Sequence, residues 1–158
     1  MNRFDAWTVH LATILVGGSG LGYAWMLYLL EPSDPFSAVN HPLQPTVQGL
    51  HVWTAPLLVF GAGLIWRSHV WRHYREGVSR GRSSGVAMLA NLVPMVISGY
   101  LLQTAVSPGW RRAWLVIHLA TAALWLAGYL LHLRLPLERF QRLVRRRRAG
   151  RTAPSTTV

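Results

Sequence analysis

The chain has 158 residues, enough for one domain, with 51% apolar and 13% charged side chains and a formal net charge of +11. All sixteen basic residues are Arg, clustered between or after apolar stretches, which argues against a nucleic-acid partner and for a membrane topology signal. The absence of Cys excludes disulfides, thiolate metal sites and thioether-attached cofactors.

Residues 6–30, 35–66, 83–110 and 113–133 carry no Asp, Glu, Lys or Arg. Each stretch holds the roughly 20 residues that span a hydrocarbon core as a helix. Backbone polar groups in lipid must be satisfied within the segment, and no strand-like alternation is present, so helices are predicted. Helix one runs from about Ala6 to Leu30 and is too long for a signal-peptide core, so it reads as a retained helix. Gly17, Gly18, Gly20 and Gly22 in it admit a neighbouring helix or a flat cofactor close to the backbone. Glu31 to Pro35 ends it. Helix two runs from about Thr46 to Trp66, with a possible extension to Tyr74. Helix three runs from about Val86 to Ala105, with a kink expected at Pro94. Helix four runs from about Arg112 to Leu133. The predicted architecture is an all-α, integral-membrane, up-down bundle of four helices over residues 1–135, followed by a basic tail over 136–158 whose end, from Ala149, reads as disordered.

Charge orients the bundle. Only Arg111 and Arg112 lie in the first or third loop; every other Arg is at the amino terminus, in the second loop or in the tail. The positive-inside rule therefore puts both termini in the cytoplasm, with helices one and three running outward and two and four inward. The basic tail reads as a topology determinant, with anionic lipid or a partner as a further possibility.

Ionisable residues within a membrane are rare and usually functional. His118 and His132 are two heptads apart on helix four, within about 40° of each other on an ideal helix and separated by roughly 21 Å of rise. One face thus offers two imidazoles near opposite membrane surfaces, a spacing that suits two stacked haems and not a binuclear metal site. His51, early in helix two, shares the outer level with His118. His10, early in helix one, shares the inner level with His132. The predicted ligand pairs are His51 with His118 and His10 with His132, each giving bis-imidazole ligation that favours electron transfer. His69, five full turns from His51, is an alternative partner for His132. His69 with His73 also has zinc-like spacing, in a strongly basic run that reads better as a solvated face. His41 reads as a loop residue at the surface. Arg67, Arg72, Arg111, Arg112 and Arg134 are candidate partners of haem propionates. Gln48, Asn91, Ser98 and Gln103 are candidate quinone contacts, each with backbone bonding as the plainer reading.

One His early in helix one, one early in helix two, none in helix three and the His118–His132 pair in helix four resemble the bacterial di-haem cytochrome b561 superfamily over about residues 6–135. That group includes the b-type subunits of nickel–iron hydrogenases and formate dehydrogenases. The Ser98-Gly99-Tyr100-Leu101-Leu102 stretch is similar as well. The resemblance implies two haem b groups, exchange of electrons with quinone, and a bacterial inner-membrane location. It also implies an iron–sulfur or cytochrome partner subunit at the outer face, although short loops depart from the larger members. The alternatives are a standalone quinone reductase using superoxide or another small donor, and a non-redox membrane protein. The chain itself shows no bond-making constellation, so any catalysis is electron transfer carried by the cofactor.

Overall fold

The computed structural model describes residues 3–32, 34–66, 71, 75 and 82–151, with side chains from 84 to 133 in the last two helices. Among the described residues there are four α-helices: α1 (Arg3–Tyr28), α2 (Gln44–Ile65), α3 (Arg82–Thr104) and α4 (Pro108–Arg151). All four are long and apolar enough to cross a membrane, the apolar span of α4 being Pro108–Leu133. Little of each span is covered by the rest of the chain: at most 28% of an apolar window is buried, and only 6% in α4. Exposed apolar surface on that scale is an aggregation hazard in water and an ordinary outer surface in hydrocarbon.

The helix ends follow local chemistry. α2 starts at Gln44, before the expected Thr46, because Pro45 suits a first helical turn, where its missing N–H is no loss. α4 starts at Pro108 for the same reason, and the Ser107 carbonyl accepts the Arg111 N–H at 2.9 Å. Pro94 lies inside an unbroken α3, as Pro56 does inside α2. α4 continues past Leu133 to Arg151, since Arg, Leu and Ala all favour helix: position 134 ends the apolar span and not the helix. The expected disorder from Ala149 meets helix as far as Arg151; residues 152–158, and the extension of helix two as far as Tyr74, lie outside the described residues.

The chain divides into two compact units, Met1–Arg82 and Ser83–Val158. Each is a helical hairpin. In the first, α1 and α2 pack together and the loop between them is closed by polar side chains. Asn40 donates from Nδ2 to the Leu27 carbonyl at 2.9 Å, satisfying one of the orphan carbonyls at the end of α1. The Asn40 N–H donates to Gln44 Oε1 at 3.0 Å, at the start of α2. Asp34 holds the turn between them by accepting the Phe36 N–H at 2.9 Å.

The two hairpins repeat one pattern. Val9, Val16, Ser19 and Gly20 on α1 correspond at constant offset to Met88, Met95, Ser98 and Gly99 on α3. His51, Thr54, Leu58 and Gly61 on α2 correspond at another constant offset to His118, Thr121, Trp125 and Gly128 on α4. Val16, Ser19 and Leu58 are buried, and so are Met95, Ser98 and Trp125. Gly61 faces Val9, whose Cγ2 would be 3.2 Å from an added β-carbon; Gly128 faces Met88, whose Cγ would be at 3.3 Å. Small residues at these crossings let the helices approach. For helices apolar enough to cross a membrane, where lipid gives no hydrophobic drive for pairing, close packing and hydrogen bonds are what hold a pair together. The second hairpin adds one such bond, from Asn91 Nδ2 on α3 to the Thr121 carbonyl on α4 at 2.8 Å. Bonds of this kind contribute about 0.6 kcal/mol on average, so packing at the glycines dominates.

Candidate cofactor site: two matched histidine niches

His51 and His118 occupy the same niche in their respective hairpins. Nδ1 of His51 is 2.9 Å from the carbonyl oxygen of Val16 on α1. Nδ1 of His118 is 3.0 Å from the carbonyl oxygen of Met95 on α3. A carbonyl only accepts, so both contacts require the proton on Nδ1 and leave the ring lone pair on Nε2, the tautomer that presents Nε2 to a metal. A ligating His commonly donates its other N–H to a backbone carbonyl, which fixes the ring and raises its basicity.

A Ser-Gly pair shapes each niche. A β-carbon on Gly20 would stand 2.8 Å from Cε1 of His51, and one on Gly99 would stand 3.1 Å from Cε1 of His118. A side chain at position 20 would displace the ring, and one at position 99 would require it to give by a few tenths of an ångström. Ser19 Oγ is 3.4 Å from His51 Nδ1, and Ser98 Oγ is 3.5 Å from His118 Nδ1. Those distances are long for a hydrogen bond, and the shorter carbonyl contacts take the Nδ1 proton. The hydroxyls donate instead to their own helices. Ser98 donates to the Met95 carbonyl at 3.0 Å. Ser19 donates to the Leu15 carbonyl at 2.6 Å and reaches the Val16 carbonyl at 3.2 Å. In both niches one carbonyl oxygen therefore faces an imidazole N–H and a serine hydroxyl. Thr54 and Thr121, one turn beyond each His, bond back to the carbonyls of Leu50 and Ile117 at 2.8 and 2.7 Å.

The remaining histidines differ. His10 stands on α1 next to Val9, toward the opposite end of the first hairpin from His51, with its ring edge-on to Trp7 at 6.4 Å between centroids. His132 lies on an exposed position of α4. Neither belongs to the repeat: the counterpart of His10 is Leu89 and that of His132 is Ile65. His41 lies in the loop before α2, where its Nδ1 accepts the Leu43 N–H at 3.1 Å in a local turn. Arg67, Arg72, His69 and His73 lie outside the described residues, as does the side chain of Arg134. Among the described residues no three or more of His, Cys, Asp and Glu come together to hold a metal ion. An iron already held by a porphyrin needs only two axial ligands, so the imidazoles present suit such a group.

Of the polar residues considered for quinone, three are engaged with backbone carbonyls: Asn91 with Thr121, Ser98 with Met95, and Gln103 with Gly99 at 3.2 Å. Gln48 is exposed. Sequence reasoning did not single out Ser19 or the repeat. The signal was present as the Ser19-Gly20 and Ser98-Gly99 pairs and the His51-x-x-Thr54 and His118-x-x-Thr121 strings, masked by further copies at Ser84-Gly85 and His10-x-x-Thr13. No family model matches the chain, and neither a curated protein nor a solved structure is significantly similar to it.

Proposed function

We propose that this chain is a di-haem cytochrome b that carries electrons across a bacterial inner membrane between a redox partner subunit at the outer face and the quinone pool. The observation that carries the reading is the pair of niches, in which His51 and His118 are each fixed by an Nδ1–carbonyl contact with Nε2 left as the ligating nitrogen. A haem supplies a reversible one-electron iron couple; the protein supplies ligands, orientation and a dry surround.

In this reading the four helices form one membrane bundle with both termini cytoplasmic. Arg75, whose guanidinium lies 5.6 Å above the Trp71 ring, marks the inner interface beyond α2. Trp110 and Trp114, stacked at 5.9 Å, belong to the outer aromatic belt. His51 and His118 then share the outer level and ligate one haem. His10 and His132 ligate the second at the inner level, with His69 the alternative to His10. Arg67 and Arg134 lie on the cytoplasmic side, where a guanidinium pairs with an inner haem propionate.

The test is haem content per chain and the reduced-minus-oxidised spectrum of the purified protein and of His51→Ala, His118→Ala, His10→Ala and His132→Ala. Two b haems are expected in the parent. His51→Ala and His118→Ala should lose the same haem, and His10→Ala and His132→Ala the other. Retention of the inner haem in His10→Ala moves that ligand to His69. A haem-free protein from cells with ample haem overturns the proposal.

A further inference from the structure

The repeated niche contains one group that haem ligation alone does not require: a buried serine hydroxyl beside each imidazole. Ser98 is fully buried and Ser19 nearly so. Serine in a helix commonly bonds back to a carbonyl of the preceding turn, so either hydroxyl by itself is unremarkable. What is unusual is which carbonyl is chosen. Ser98 donates to the Met95 oxygen that His118 Nδ1 also contacts, and Ser19 reaches the Val16 oxygen that His51 Nδ1 contacts. The arrangement occurs twice, on helices otherwise different in sequence.

We propose, building on the di-haem reading, that Ser19 and Ser98 are positioning residues that jointly set the potential of a single haem, one acting through each of its axial ligands. Two donors on one carbonyl oxygen compete for its electron density. The serine hydroxyl therefore weakens the bond that the carbonyl makes to the imidazole N–H. A weaker bond leaves the imidazole less imidazolate-like and a poorer donor to ferric iron, which raises the haem potential. Removing the hydroxyl reverses each step and lowers the potential. Ser98 donates to the carbonyl it shares with the imidazole at 3.0 Å, whereas Ser19 makes its shorter bond to Leu15 at 2.6 Å and reaches the shared carbonyl only at 3.2 Å. Ser98 therefore has the larger effect.

Redox titration of the purified full-length protein tests this, following each haem optically, for Ser19→Ala, Ser98→Ala and the double variant. Both single variants should keep parental haem content and shift the same midpoint downward, Ser98→Ala by more, with the shifts adding in the double variant. Ser19→Thr, which retains the hydroxyl, should titrate like the parent. Ser98→Cys, a weaker donor of similar shape, should fall between Ser98 and Ala. Unchanged or raised midpoints with full haem content overturn the serine role while the di-haem reading stands. Shifts in two different haems overturn the joint action on one. A parent chain without haem removes the di-haem reading and this role with it.

Discussion

Cε1 of His51 lies 2.8 Å from the point where Gly20 would carry a β-carbon. The imidazole thus rests on the bare backbone of the neighbouring helix, and that contact sets the ring against the Val16 carbonyl. His118 repeats it on Gly99 with slightly more room, at 3.1 Å.

Gly20→Ala should therefore push the His51 ring off its carbonyl. Loss of an outer partner of a metal-ligating His typically costs about 10–100-fold in affinity. Gly20→Ala is expected to fall in that range and Gly99→Ala to cost less, because its contact relaxes with a smaller shift. Haem retention during dialysis against a haem-binding acceptor ranks the two. Equal retention by Gly20→Ala and the parent would contradict the niche geometry.

The other repeated crossing separates backbone from side-chain constraint. An alanine at position 61 meets Val9 Cγ2 at 3.2 Å and the Val9 Cα at 3.4 Å, whereas an alanine at 128 meets only Met88 side-chain atoms, at 3.3 and 3.6 Å. Methionine yields readily and a helix backbone does not. Gly61→Ala should lower thermal stability by about 1–3 kcal/mol, the usual range for overpacking, and Gly128→Ala by clearly less. Melting in detergent measures both.

Thr13 is buried, and among the described residues its hydroxyl has no hydrogen-bond partner. An unsatisfied buried polar group costs about 1–3 kcal/mol, and Val has nearly the same shape without the hydroxyl. Thr13→Val is expected to raise the melting temperature. A fall would show that the hydroxyl is engaged after all.

His41 provides a control for the ligand assignment. Its ring accepts the Leu43 N–H at the start of α2. His41→Ala should leave haem content and spectrum intact and cost about 0.5–1.5 kcal/mol of stability, the usual net worth of one hydrogen bond. Loss of a haem would make His41 a ligand and break the proposed scheme.

Orientation has its own measurement. Reporter fusions after Val158 and within the second loop should read as cytoplasmic, and insertions within residues 34–43 as external. The opposite pattern would exchange the inner and outer sides of the proposed scheme and defeat the positive-inside assignment.

The four apolar helices and their approximate limits were legible in the chain. They follow from composition along a short window, as charge-free runs long enough to cross hydrocarbon. Helix ends were less legible, because Pro45 and Pro108 start their helices through local backbone geometry and the Arg-rich end of α4 remains helical without being apolar.

The niches were another matter. Gly20 was visible as a close-approach position, but nothing in the sequence said that His51 was what approached it. Asn91 and Ser98 read more plainly as backbone-bonding, as they are, but which carbonyl each takes was not legible. His51 lies 35 residues from Val16, and His118 lies 23 from Met95. A contact between residues so far apart depends on the rotation and depth at which two helices pack, and the lateral fit of a few side chains decides both. Local composition determined which segments are helices and which carry imidazoles; only the packed hairpins determined which carbonyl holds each ring, and so which ring nitrogen carries the proton.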